Sequence, residues 1–168
     1  SCCAVVGPSS VDKRMLLKLL SCRARGGLIG GRVAYGGRDA CAACAAFIDG
    51  AMVDDEMRSS LTALSRVEAS SAVRFGSVKP CPLLRALGLD GLAIPSHRAE
   101  AVVVAIAKAC VHAPPIICVE DPFRNLDMPS RKFVATAIKQ LSRKRVVVVS
   151  IDSVLDDATF QIFDHVLL

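Results

Sequence analysis

Tryptophan is absent from the 168 residues, tyrosine occurs once, and aromatic residues make up only 4% of the chain. Base-stacking platforms are therefore scarce. Although the formal charge is +5, the basic residues are scattered rather than gathered into a stripe, which argues against nucleic acid as a partner. Long apolar runs are missing too: the longest, residues 101–107 and 146–149, fall far short of the roughly 20 residues that cross a bilayer. There is no charged-then-apolar leader, and the sequence opens on Ser1 rather than methionine, as expected of a segment of a longer protein. What is present is 52% apolar against 22% charged residues, a balance that fits one folded domain over residues 1–168.

Of the eight cysteines, Cys2, Cys3, Cys22, Cys81, Cys110 and Cys118 mostly lie inside apolar segments, where a thiol behaves as a small hydrophobe. They are expected to fill the core of a protein kept in a reducing compartment. Cys41-Ala42-Ala43-Cys44 has the spacing of half a zinc site, but no second pair follows at finger-like distance. His97, His112 and His165 show no ligand spacing, so no histidine is assigned to metal.

Residues 2–6 read as a short buried strand and residues 13–22 as a helix with Leu16, Leu17 and Leu20 on one face. Glycine pairs between Gly26 and Gly37 suggest tight turns around brief antiparallel strands. Residues 47–53 are expected to form a strand, followed by an acidic loop at Asp54-Asp55-Glu56. Helices are expected over residues 61–74 and 83–91, then a buried one over residues 100–112 that is apolar on nearly every face. Residues 116–120 form an apolar run closed by Glu120 and Asp121, and carboxylates at the C-terminal end of a strand are where α/β proteins build sites. Asp127 is placed to cap a helix over residues 128–143. The β-branched run 145–151 reads as a central parallel strand, with a helical piece over 154–160 and a closing strand over 165–168. This alternation predicts a mostly parallel sheet flanked by helices, with a small antiparallel extension.

The stretch Val5-Val6-Gly7-Pro8-Ser9-Ser10-Val11-Asp12-Lys13-Arg14 runs from an apolar strand through Gly-Pro and a polar turn to a lysine at the head of a helix. That is the layout of a phosphate-binding loop, G-x-x-x-x-G-K-[ST], with Asp12 in place of the second glycine and Arg14 in place of the hydroxyl residue.

Taken in order, these pieces resemble the ATPase domain of an ABC transporter, in wording nearest to the G-subfamily of half-transporters. Gly7-Pro8-Ser9 with Lys13 resembles Walker A. Asp54-Asp55 with Leu61-Thr62 and Arg74 resembles the stretch after the Q-loop. Leu83-Leu84 to Leu87-Gly88-Leu89 and Ala105-Ile106-Ala107-Lys108-Ala109 resemble the flanks of the signature motif. Glu120-Asp121-Pro122 resembles Walker B, Asn125-Leu126-Asp127 the D-loop, and Phe163-Asp164-His165-Val166-Leu167-Leu168 the terminal strand. The resemblance spans residues 4–168 and implies a P-loop NTPase fold with a helical subdomain, shortened here, over approximately residues 57–113.

It also implies ATP and magnesium as ligands, with Gly7, Pro8, Ser9, Ser10, Val11, Asp12, Lys13 and Arg14 as the nucleotide-binding loop. Glu120 falls at the magnesium-linked acid and Asp121 at the catalytic, water-polarising acid. The implied partners are an ABC transmembrane domain outside this chain and a second ATPase domain, identical or not, at the cytoplasmic face of a membrane. Sites in this family are composite, combining the Walker A of one domain with the signature of its partner.

The departures from the pattern bear on activity. A carboxylate at Asp12 about 4 Å from a phosphate charge costs on the order of 4 kcal/mol at an effective dielectric near 20, about a thousandfold in affinity. Arg14 removes a metal ligand and brings a cation instead, leaving it to neutralise Asp12 or to clamp a phosphate directly. Val53 stands at the Q-loop glutamine. Ser96-His97-Arg98-Ala99-Glu100 stands at the signature, and Asp152 at the switch histidine. The two Walker B acids are exchanged, which shifts each carboxylate by roughly 1.5 Å. Phosphoryl transfer depends on positioning and charge neutralisation, so these substitutions imply weak or lost catalysis. The alternative is a non-catalytic pseudo-ATPase acting as a docking or regulatory module.

Overall fold

The computed structural model describes residues 1–25, 30–35, 37–39, 44–58, 85, 97–111 and 113–168. The expected helices over residues 61–74 and 83–91, Ser96, Cys41 and most of the proposed helical subdomain lie outside the described residues. A five-stranded parallel sheet runs through the rest. Its strands are β1 (Cys2–Val5), β4 (Ala45–Ile48), β5 (Ile116–Glu120), β6 (Val146–Ser150) and β7 (His165–Leu167), in the spatial order β4-β5-β6-β1-β7. The short strands β2 (Ala34–Tyr35) and β3 (Arg38–Asp39) pair antiparallel, as the glycine-rich extension predicts.

The β-branched character of β5 and β6 matches their place at the middle of the sheet, covered on both faces. Alternate residues face opposite sides: Ile117, Val119, Val147 and Val149 join one apolar cluster, whereas Ile116, Cys118 and Val148 join the other. Helix α1 (Ser10–Leu20) covers the second cluster with Leu17. The first is covered by α2 (Gly50–Arg58), α3 (Arg98–Cys110) and α4 (Met128–Ser142). Helix α3 is buried continuously from Ala101 to Ala107, which explains why it is apolar on nearly every face. Asp127 caps α4 by accepting from the Ser130 amide at 3.2 Å.

Two expectations fail near β4. The strand ends at Ile48, and Val53 with Asp54-Asp55-Glu56 belongs to α2 rather than to a strand and an acidic loop. Asp49 starts the helix by accepting from the Met52 amide at 3.0 Å. The acids are then stapled to α3: Arg98 Nη1 meets Asp54 at 2.7 Å, and Lys108 Nζ meets Glu56 at 2.6 Å. Helix α1 begins at Ser10, three residues before the expected start, because Ser9 caps it. The expected helix 154–160 shrinks to α5 (Asp157–Phe160), capped by Asp156. Cys2 and Cys118 are core residues as expected, but Cys22 is exposed, at a positive φ of 55° just past the end of α1.

Candidate functional site

The loops leaving β1, β4, β5 and β6 emerge from the same edge of the parallel sheet, and α1 packs across β4, β5 and β6 beneath them. This edge gathers Lys13, Arg14, Asp49, Glu120, Asp121 and Asp152. Five of the six are residues that the sequence resemblance singles out. Asp49 is not among the expected site residues: the expected strand over residues 47–53 contains it, whereas β4 ends at Ile48 and leaves it at the edge of the sheet.

Ser9 accepts from the Asp12 amide at 3.2 Å, so Ser10, Val11 and Asp12 form the first turn of α1 and only Gly7, Pro8 and Ser9 remain as loop. Val11 and Asp12 are exposed. Asp12 in the first helical turn favours the positive end of the helix dipole.

Lys13 is 6% exposed. Its Nζ donates to the carbonyls of Gly7 at 2.6 Å and Ile151 at 2.8 Å, and lies 2.5 Å from Asp152 Oδ1. An ammonium has three N–H donors, and two carbonyls with one carboxylate match that number. Asp152 thus supplies an anion to the lysine that a phosphate loop would hold free for its ligand.

Successive residues of an α-helix project about 100° apart, so Arg14 points away from Lys13, toward β5 and β4. Its Nε lies 3.3 Å from Glu120 Oε2 and its Nη2 lies 3.7 Å from Asp49 Oδ2. Arg14 therefore pairs with these two acids, not with Asp12. Burial is the main influence on Glu120 and pushes its carboxyl above the ordinary range, with Arg14 pulling the other way.

Asp121 sits at a positive φ of 36° and is largely buried, and burial pushes its carboxyl upward as well. Its amide donates to the Ser150 hydroxyl and carbonyl at 3.2 and 3.1 Å. Its Oδ1 accepts from the Asp152 amide and the Ser153 hydroxyl, both at 3.4 Å. Asp121 is thus engaged by the loop after β6.

The other motif positions separate from this cluster. Val53 is 5% exposed within the core cluster on the face of the sheet opposite α1. His97 precedes α3, Arg98 is committed to Asp54, and Ala99 is 4% exposed, so this stretch opens a helix without presenting glycine backbone.

Magnesium does not fit the residues present. Glu120 Oε2 is buried and accepts no aligned hydrogen bond, the kind of oxygen a divalent cation satisfies. Yet Arg14 Nε already faces it, and residue 14 offers no hydroxyl. Among the described residues no group of three or more His, Cys, Asp or Glu side chains is arranged to hold a metal.

No family model matches the sequence, and no curated protein matches it. Solved structures do. A cassette described as the ADP conformation of MJ1267, an ATP-binding cassette of an ABC transporter, aligns at a TM-score of 0.74 and 13% identity, covering 98% of this chain and 74% of that one. MJ0796, an ATP-binding cassette described as a dimer in a post-hydrolysis state bound to ADP and Pi, aligns at 0.72 and 19%, covering 98% and 79%. The cbiO1 protein of Clostridium perfringens, described as part of the ABC transporter complex cbiONQ, aligns at 0.67 and 16%, covering 90% and 67%. At such identities the likeness speaks for architecture. The chain has the fold of the ATP-binding cassettes of ABC transporters.

Proposed function

We propose that this chain is the ATP-binding cassette domain of a G-type ABC transporter in a form that has lost turnover, retained as a docking module for a second cassette and a transmembrane domain. It would act on the cytoplasmic face of a membrane, through membrane helices that are not part of this chain. Among the described residues no helix is long and apolar enough to cross a bilayer. The similarity to a cassette described as a dimer and to one described as part of a transporter complex supports partners of these two kinds.

The observation that carries the proposal is the state of Lys13. Its ammonium is buried among Asp152 and two backbone carbonyls that occupy all three of its donors, so a phosphate can bind it only by displacing one of these partners. The positive charge that phosphoryl transfer requires at its site is here already paired with carboxylates of the protein. The test is phosphate release at saturating ATP, with and without magnesium, for the protein and for Lys13→Ala. Equal background release by both is expected. Magnesium-dependent release that disappears in Lys13→Ala would overturn the proposal.

A further inference from the structure

We infer that Arg14 is a resident cation standing where a phosphate-loop site holds its divalent metal, and that it keeps a divalent ion from binding at this edge of the sheet. The inference deepens the account of the same site as a silent cassette. Asp49 at the end of β4 and Glu120 at the end of β5 lie on adjacent strands, and the guanidinium of Arg14 reaches both, at 3.7 and 3.3 Å. A divalent ion bound there would need both carboxylates and the hydroxyl that residue 14 lacks. A permanently charged side chain anchored one residue after Lys13 is always present at the site, whereas a free ion must displace it. Glu120 Oε2, buried without an aligned hydrogen bond, has Arg14 as its ion-pair partner, and the charge of Lys18, one turn further along α1, also favours the ionised carboxyl. The two cations divide the cluster between them, Lys13 taking Asp152 and Arg14 taking Asp49 and Glu120.

The test uses manganese as a magnesium substitute, in the absence of nucleotide, with the free-ion spectroscopic signal and the melting temperature as readouts. The protein itself is expected to leave the manganese signal and its melting temperature unchanged. Arg14→Lys, which keeps a charge, is expected to behave the same way. Arg14→Ser is expected to melt lower without metal and to gain a manganese-dependent rise in melting temperature, since a ligand that binds only the folded form stabilises it. Stoichiometric manganese binding by the unmutated protein would overturn the inference, as would a folded Arg14→Ser indifferent to manganese. If Arg14→Ser folds only with manganese the inference holds, and if it never folds the first two measurements decide. ATP turnover persisting in excess chelator would overturn the silent-cassette proposal while leaving this inference standing. Manganese binding by a protein without turnover would do the reverse.

Discussion

Along β5, Ile116, Ile117, Cys118 and Val119 are each buried between two layers of helix, whereas Glu120 and Asp121, the next two residues, meet a guanidinium, a serine and the loop after β6. The same change occurs on β6, where Val147, Val148 and Val149 fill the core and Asp152 reaches a buried lysine. The body of the sheet depends on apolar volume, which many sequences can supply. The edge depends on particular charges at particular positions, and there the cations and acids pair within the protein. The cassette fold is therefore compatible with a charged edge whose groups pair among themselves.

The largest expected effect breaks the body rather than the edge. Phe123 is fully buried, and Phe123→Ala is expected to cost about 3–5 kcal/mol in urea unfolding through the cavity it leaves. Asp152→Ala strips a buried ammonium of its only described carboxylate and is expected to cost about 1–2 kcal/mol, less than a fully buried pair because Asp152 is partly exposed. Arg14→Ala removes a side chain that is nearly half exposed and is expected to cost under about 1 kcal/mol. An edge variant that destabilises more than Phe123→Ala would reverse the comparison.

Fold and site were legible in the sequence to different degrees, for the same reason. The β-branched runs of β5 and β6, the wholly apolar α3 and the Asp127 cap are local patterns, and each marks its element. Helix α2 was not legible: Asp54, Asp55 and Glu56 look like a loop until Arg98 and Lys108, more than 40 residues away, supply partners for two of them. The order of motifs singled out Lys13, Arg14, Glu120, Asp121 and Asp152, which the structure brings to one edge of the sheet. It did not disclose who pairs with whom, because Lys13 with Asp152 and Arg14 with Glu120 join residues brought together only by the order of strands in the sheet. Asp49 escaped notice because nothing local separates it from any other acid that starts a helix.

Smaller effects sharpen the contrast. Asp164 accepts from Lys139 and from the Cys2 amide, at 2.8 Å each, which holds its carboxyl below the ordinary aspartate range, the Lys139 contact being the larger cause. A depressed value in the folded state adds stability above the unfolded-state value and loses it as pH falls through the folded one. Asp164→Asn is therefore expected to lower the melting temperature modestly at neutral pH, to match the unmutated protein below the folded-state value, and so to flatten the acid limb of the melting-temperature profile. The smallest effect concerns thiols. Burial pushes Cys2 and Cys118 up to about 12, so alkylation in the native protein is expected to mark Cys22 well before either.

Calorimetric titration of the purified protein with ATP, with and without magnesium and with Lys13→Ala as the control, tests the internal pairing of the edge most directly. With Lys13 committed to Asp152 and Arg14 to Glu120 and Asp49, no binding heat is expected up to millimolar ATP under either condition. Micromolar, magnesium-dependent binding abolished by Lys13→Ala would contradict the account.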